Sequence, residues 1–93
     1  MEEQNAVEAL VDLGLSTYEA RVFIALVKLG SGTARDVAEI SDVPRSQVYT
    51  TAKDLDSRGI ISIQQSSPQV FQPVSLSEVE SQLEQRFEAK RET

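Results

Sequence analysis

Apolar residues along this chain follow two periods. Through Ser16–Leu29 and again through Thr33–Ser57 they recur every three or four residues, the spacing of helices with a buried face. Ile61 and Ile63 instead alternate with Ser62 and Gln64, as in a half-buried strand. Ser16-Thr17-Tyr18-Glu19 is a capping box, so a helix should start there, run to Leu29 and stop at Gly30. Tyr18, Val22, Ala25, Leu26 and Leu29 form one apolar face of it and Phe23, Ile24 and Val27 a second, leaving a narrow polar stripe around Arg21 and Lys28. A helix apolar over most of its circumference needs cover on several sides. Part of that cover is expected from an N-terminal helix carrying Ala6, Val7, Leu10 and Val11.

The next stretch, TARDVAEISDVPRSQVYTT from Thr33 to Thr51, reads as helix, tight turn and helix. Thr33 caps the first helix with Asp36 three residues on, where a carboxylate favours a helix N-terminus. Val37, Ala38 and Ile40 give that helix a small apolar side. Ser41-Asp42-Val43 supplies turn and cap chemistry, and Pro44 suits a first turn because its missing N–H costs nothing there. The second helix is expected over about 44–58, with Gly59 ending it. At about 100° per residue, Val48, Ala52 and Leu55 fall on its core side, and Ser46, Thr50, Lys53 and Ser57 lie opposite. Gln47 and Tyr49 flank this polar face, and Arg45 stands at its edge in the first turn. Then come a strand over Ile60–Gln64, a turn at Ser66-Ser67-Pro68 and a strand over Gln69–Gln72, with Pro73 tolerated at the end of an edge strand.

Helix-turn-helix followed at once by a hairpin predicts a mostly α fold with a small β-hairpin wing: a winged helix-turn-helix with additional N- and C-terminal helices. The chain divides into an N-terminal helix (1–15), the central helix and helix-turn-helix (16–59), the wing (60–74) and a C-terminal helix (75–93), all within one domain of 93 residues. Ser75-Leu76-Ser77-Glu78 opens the last helix with a second capping box. Its Leu76, Val79, Leu83 and Phe87 make a seam one residue wide among Glu80, Gln82, Glu84, Gln85, Arg86 and Glu88. Such a seam suits pairing across a dimer, the alternative being a helix folded back on its own subunit. The double-faced central helix favours the dimer.

Composition narrows the chemistry. Cysteine and histidine are both absent, which removes disulfides, thiol redox sensing, zinc sites of the usual ligand types, and cysteine or histidine catalysis. With no glycine-rich phosphate loop either, nothing resembles an assembled active site; no enzyme activity, cofactor or metal is expected. No stretch reaches the apolar length of a membrane span and the N-terminus is acidic where a signal peptide would be basic, so the expected location is the cytoplasm. So short a chain leaves no room for a separate sensor domain, and no small-molecule effector is expected.

A net charge of −6 runs against nucleic-acid binding until its distribution is considered. Residues 1–19 hold Glu2, Glu3, Glu8, Asp12 and Glu19 and no base. Residues 20–53 hold five cations, Arg21, Lys28, Arg35, Arg45 and Lys53, against Asp36, Glu39 and Asp42, a net charge of +2. No carboxylate lies between Asp42 and Asp54. The acid excess elsewhere fits a surface adapted to high salt or a domain with a protein partner, and three lysines against six arginines lean toward the former.

Taken in order, LGLSTYEARVFIALVKLGSGTARDVAEISDVPRSQVY, then RGII, the wing and the capped terminal helix resemble the N-terminal winged-helix domain of the TrmB family of archaeal transcriptional regulators. The resemblance runs from about Leu13 to Glu88. It implies a dimeric winged helix that binds double-stranded operator DNA, with Arg45, Ser46, Gln47 and Tyr49 in the segment used for recognition. Thr50 and Lys53 join them on the polar face. Two departures stand out. Larger members append a sugar-sensing domain where this chain ends, so the expectation is a stand-alone small regulator or a piece of a longer protein. The wing tip, Ser66-Ser67-Pro68-Gln69, has no basic residue where such wings often carry one. Against the homodimeric DNA-binding regulator stands a second reading: a winged helix used for protein contact within transcription or chromosome machinery, which an acidic surface and a neutral wing would suit.

Overall fold

The computed structural model describes residues 2–74. They form α1 (Glu2–Asp12), α2 (Thr17–Leu29), α3 (Ala34–Ser41), α4 (Arg45–Ser57), and the antiparallel pair β1 (Ile61–Gln64) and β2 (Val70–Pro73). The order is the predicted one. The expected C-terminal helix and its seam of Leu76, Val79, Leu83 and Phe87 lie outside the described residues.

Two capping boxes fix the starts of α2 and α3. The Ser16 hydroxyl accepts from the Glu19 N–H at 3.0 Å and the Glu19 carboxylate accepts from the Ser16 N–H at 2.7 Å; Thr33 and Asp36 repeat the exchange at 3.3 and 3.1 Å. Each satisfies donors that a helix start otherwise leaves orphaned. Gly30 ends α2 at φ 82°, a left-handed conformation that glycine adopts without steric cost. The turn joining α3 to α4 is three residues long and passes through Asp42 at φ 63°, while the buried Ser41 hydroxyl accepts from the Val43 N–H at 3.2 Å. Pro44 stands at the N-cap of α4, just ahead of the first turn, and contributes no side-chain cap.

Helix α2 is the hub. Helix α1 packs on it through Val7 and Leu10, while α3, α4 and β2 pack around it. Val22, Phe23 and Leu26 of α2 are fully enclosed in the core, together with Val37, Val43, Val48, Leu55, Ile60 and Phe71 from the elements around it. The expected double face of α2 is only partly covered: Tyr18, Val27 and Leu29 are exposed. Ala6 and Val11 are likewise exposed on α1. On α3 the buried positions are Ala34, Val37 and Ser41, and Ile40, expected on the apolar side, is 47% exposed. On α4 the core face is wider than Val48, Ala52 and Leu55, since Thr51 is buried with them.

The hairpin register pairs Ile61 with Pro73 and Ile63 with Phe71. Strand β2 is not a simple edge strand. Phe71 exchanges both backbone hydrogen bonds with Gly32, at 2.8 and 3.0 Å, so a single bridge joins the segment before α3 to the far side of β2. Pro73 is tolerated because it stands at the last position of β2, beyond that pairing.

One side chain ties the end of α4 to the start of α2. Arg58 Nη1 donates to the Gly14 carbonyl at 3.2 Å and lies 3.7 Å from Glu19 Oε1, the same oxygen that closes the first capping box. Glu19 is 7% exposed, so its charge sits where a partner matters. Replacing Arg58 by alanine is expected to cost about 1–2 kcal/mol, the range for a partly shielded bond to a charged group. Calorimetry should then show a melting temperature lower by roughly 4–16 °C; an unchanged melting temperature would show the clamp to be idle.

Candidate nucleic-acid interface

Helix α4 places the predicted polar residues together. Arg45, Ser46, Gln47, Tyr49, Thr50 and Lys53 are all exposed, while Val48, Thr51, Ala52 and Leu55 hold the opposite side in the core. The helix therefore presents hydrogen-bonding side chains from a rigid, packed support, with no acidic residue in its first turn. Arg35 is engaged with Glu39 at 3.6 Å and Arg58 with Glu19, whereas Arg45 and Lys53 have no such partner among the described residues. These two cations of α4 remain available to an external anion.

Tyr49 belongs to both the exposed face and the wing. It is 41% exposed, yet its ring meets Phe71 of β2 edge-to-face, with centroids 6.3 Å apart and planes at 75°. This is the favourable approach of ring edge to ring face. Contact with the wing accordingly fixes the tyrosine without burying it.

Sequence periodicity passed over the wing residues that join this face. Tyr49 and Lys53 of α4 together with Ile63, Gln65, Gln69 and Phe71 of the hairpin line a pocket of about 210 Å³ between helix and wing. Gln69 Nε2 donates to Gln65 Oε1 at 2.7 Å across the wing turn, and Ser66 braces the turn from inside: its N–H donates to the Gln64 carbonyl at 2.9 Å and its hydroxyl to the Pro68 carbonyl at 2.8 Å. The available signal was two glutamines bracketing Ser66-Ser67-Pro68. A second, larger groove of about 410 Å³ is lined by residues of α1, α2, α3 and the turn after α3, among them Arg21, Lys28, Glu39 and Asp42. Neither α4 nor the wing contributes to it. Among the described residues no cluster of acidic side chains has metal-ligand geometry, and no helix is long and apolar enough to cross a membrane.

Four helices, a three-residue turn before an exposed polar helix and a hairpin packed on that helix define a winged helix-turn-helix domain. The family model for the sugar-specific transcriptional regulator TrmB matches residues 10–77, and the chain belongs to that family. The HTH-type sugar sensing transcriptional regulator TrmBL1 of Pyrococcus furiosus is 31% identical over 75 residues, covering 81% of this chain and 22% of that protein. The DNA-binding HTH-type transcriptional repressor TrmBL2 of Thermococcus kodakarensis is 28% identical over 85 residues, covering 83% of this chain and 32% of the relative. This chain thus spans less than a third of the length of these curated relatives. Among solved structures, that of TrmBL2, an archaeal chromatin protein with a novel mode of DNA binding, superposes with a TM-score of 0.91 at 27% identity, over 97% of this chain and 36% of that one. The ST1889 protein of the thermoacidophilic archaeon Sulfolobus tokodaii shares the fold, with a TM-score of 0.72 at 15% identity, over 98% of this chain and 99% of that one.

Proposed function

We propose that the chain is a DNA-binding transcription regulator that acts in the cytoplasm as a homodimer, laying α4 in the major groove of double-stranded DNA. The observation that carries this reading is α4 itself: a helix locked into the core on one side, exposing Arg45, Ser46, Gln47, Tyr49, Thr50 and Lys53 on the other, with its two cations unpaired among the described residues. Membership of a family of transcriptional regulators supports it. No cofactor, metal or small-molecule effector enters the proposal. Selection of bound sequences from a random DNA pool tests it, and failure to enrich any sequence counts against it.

Within the proposal Arg45 and Lys53 divide the work. Arg45, in the first turn, carries a planar fork of donors that matches a guanine edge, whereas Lys53 is a point charge two turns on. Arg45→Ala is expected to cost about 1–3 kcal/mol and to relax sequence preference at one or two positions of the selected site. Binding to matched and altered operators checks this. An equal loss on every sequence would make the arginine a phosphate clamp and move specificity to Ser46, Gln47 and Thr50.

The net charge of −6 favours one competing reading, a winged helix that docks on protein. Salt separates the two, because phosphate contacts make log affinity fall linearly with log salt concentration and apolar protein contacts do not.

A further inference from the structure

The hairpin has no charge of either sign: from Gly59 to Val74 every residue is neutral. A wing of this kind cannot attract a phosphate through a cation of its own. The structure nevertheless sets it against one. Lys53 lines the 210 Å³ pocket between α4 and the wing, and it alone is charged among the described residues of that lining. Tyr49, Ile63 and Phe71 give the pocket an apolar wall, while Gln65 and Gln69 stand over it as a hydrogen-bonded pair. Each glutamine amide has two N–H donors, and the single bond within the pair uses one of the four. Three donors are left for a ligand.

Geometry indicates what arrives there. A helix in the major groove and a wing beside it must straddle the sugar-phosphate ridge that separates that groove from the next. The space between helix and wing is where the ridge passes. We propose that this pocket grips one DNA backbone phosphodiester per subunit, with Lys53 supplying the charge and the amide N–H groups of Gln65 and Gln69 supplying directed hydrogen bonds. The inference rests on the DNA-binding reading above and adds wing residues to it. Gln65 and Gln69 replace the missing basic side chain: a neutral donor bonds an ionised oxygen strongly when it is held in place, and the bond between the two amides together with the braced Ser66 turn holds them. Glutamine is a common donor to phosphate oxygens. The apolar wall suits the adjoining deoxyribose.

This division leaves distinct signatures on salt dependence. Lys53→Ala should flatten the slope of log affinity against log salt by about one unit, since one fewer counterion is displaced. Gln65→Ala combined with Gln69→Ala should weaken binding roughly tenfold, the scale of hydrogen bonds to a charged group, with the slope unchanged. Gln69→Glu keeps the shape and turns a donor into a repelling carboxylate, so it should weaken binding further than alanine does. All these positions are at least partly exposed, and urea midpoints should stay at the wild-type value.

The deciding experiment replaces the phosphates of a selected operator one at a time by neutral methylphosphonate and measures binding of the wild type and the variants. One position per half-site should weaken the wild type and have little further effect on Lys53→Ala, and its effect should shrink in the glutamine variants. If no position couples to both Lys53 and the glutamines while Arg45→Ala still weakens the same duplex, the clamp is overturned and DNA binding stands. If the wild type binds no DNA at all, the functional proposal itself has failed.

Discussion

Phe71→Ala is expected to lower the stability of the domain by about 3–5 kcal/mol, the range for deleting a buried aromatic side chain. The residue is 1% exposed and does three jobs at once. Its ring fills the core under the hairpin, its backbone carries both hydrogen bonds to Gly32, and its edge-to-face contact seats Tyr49. Small domains have a total stability of roughly 5–15 kcal/mol, so the loss approaches the whole for a chain of this size. Urea unfolding monitored by circular dichroism should show the midpoint falling steeply, while Phe71→Leu, which retains most of the volume, should cost much less. A cost for the alanine variant under about 1 kcal/mol would mean that the hairpin is not part of the cooperative core. Because Phe71 also walls the pocket between helix and wing, the leucine variant gives a folded protein in which Tyr49 has lost its aromatic partner.

Where the sequence was informative, the signals were local. Ser16 with Glu19 and Thr33 with Asp36 are bonded within three residues, so the chemistry that starts each helix is written beside it, and both boxes form. The polar face of α4 followed from periodicity alone, because a helix that buries Val48, Ala52 and Leu55 must turn Ser46, Thr50 and Lys53 outward. What periodicity does not encode is which neighbour covers which turn. Ile40, Val27 and Leu29 have the right spacing and remain exposed. Arg58 bonds a carbonyl 44 residues earlier, and Gly32 pairs with Phe71 across the whole helix-turn-helix; neither leaves a repeat to detect. Gln65 and Gln69 are ordinary turn-flanking residues until the hairpin folds against Lys53.

The same limit applies to the apolar surface at one end of the molecule, and it shapes the prediction with the largest effect on binding. Val11, Leu13 and Tyr18 are 38, 45 and 40% exposed around the loop that Arg58 clamps at Gly14. The last described residue, Val74, donates its N–H to the Ile60 carbonyl at 3.1 Å. The sequence that follows carries the narrow seam of Leu76, Val79, Leu83 and Phe87. The homodimer proposed above would use that seam for pairing between subunits, since a narrow apolar strip is costly to leave in water. Leu83→Glu together with Phe87→Glu should therefore yield a monomer. It should also weaken operator binding by about 10²–10⁴-fold, because each half-site is then engaged singly and the gain from linkage is lost. Sedimentation at increasing concentration, run beside binding on full and half operators, measures both effects. The expected pattern is a variant that binds full and half sites alike and still unfolds cooperatively in urea. A wild type already monomeric at high micromolar concentration would remove the dimer from the proposal and leave the seam to its own subunit.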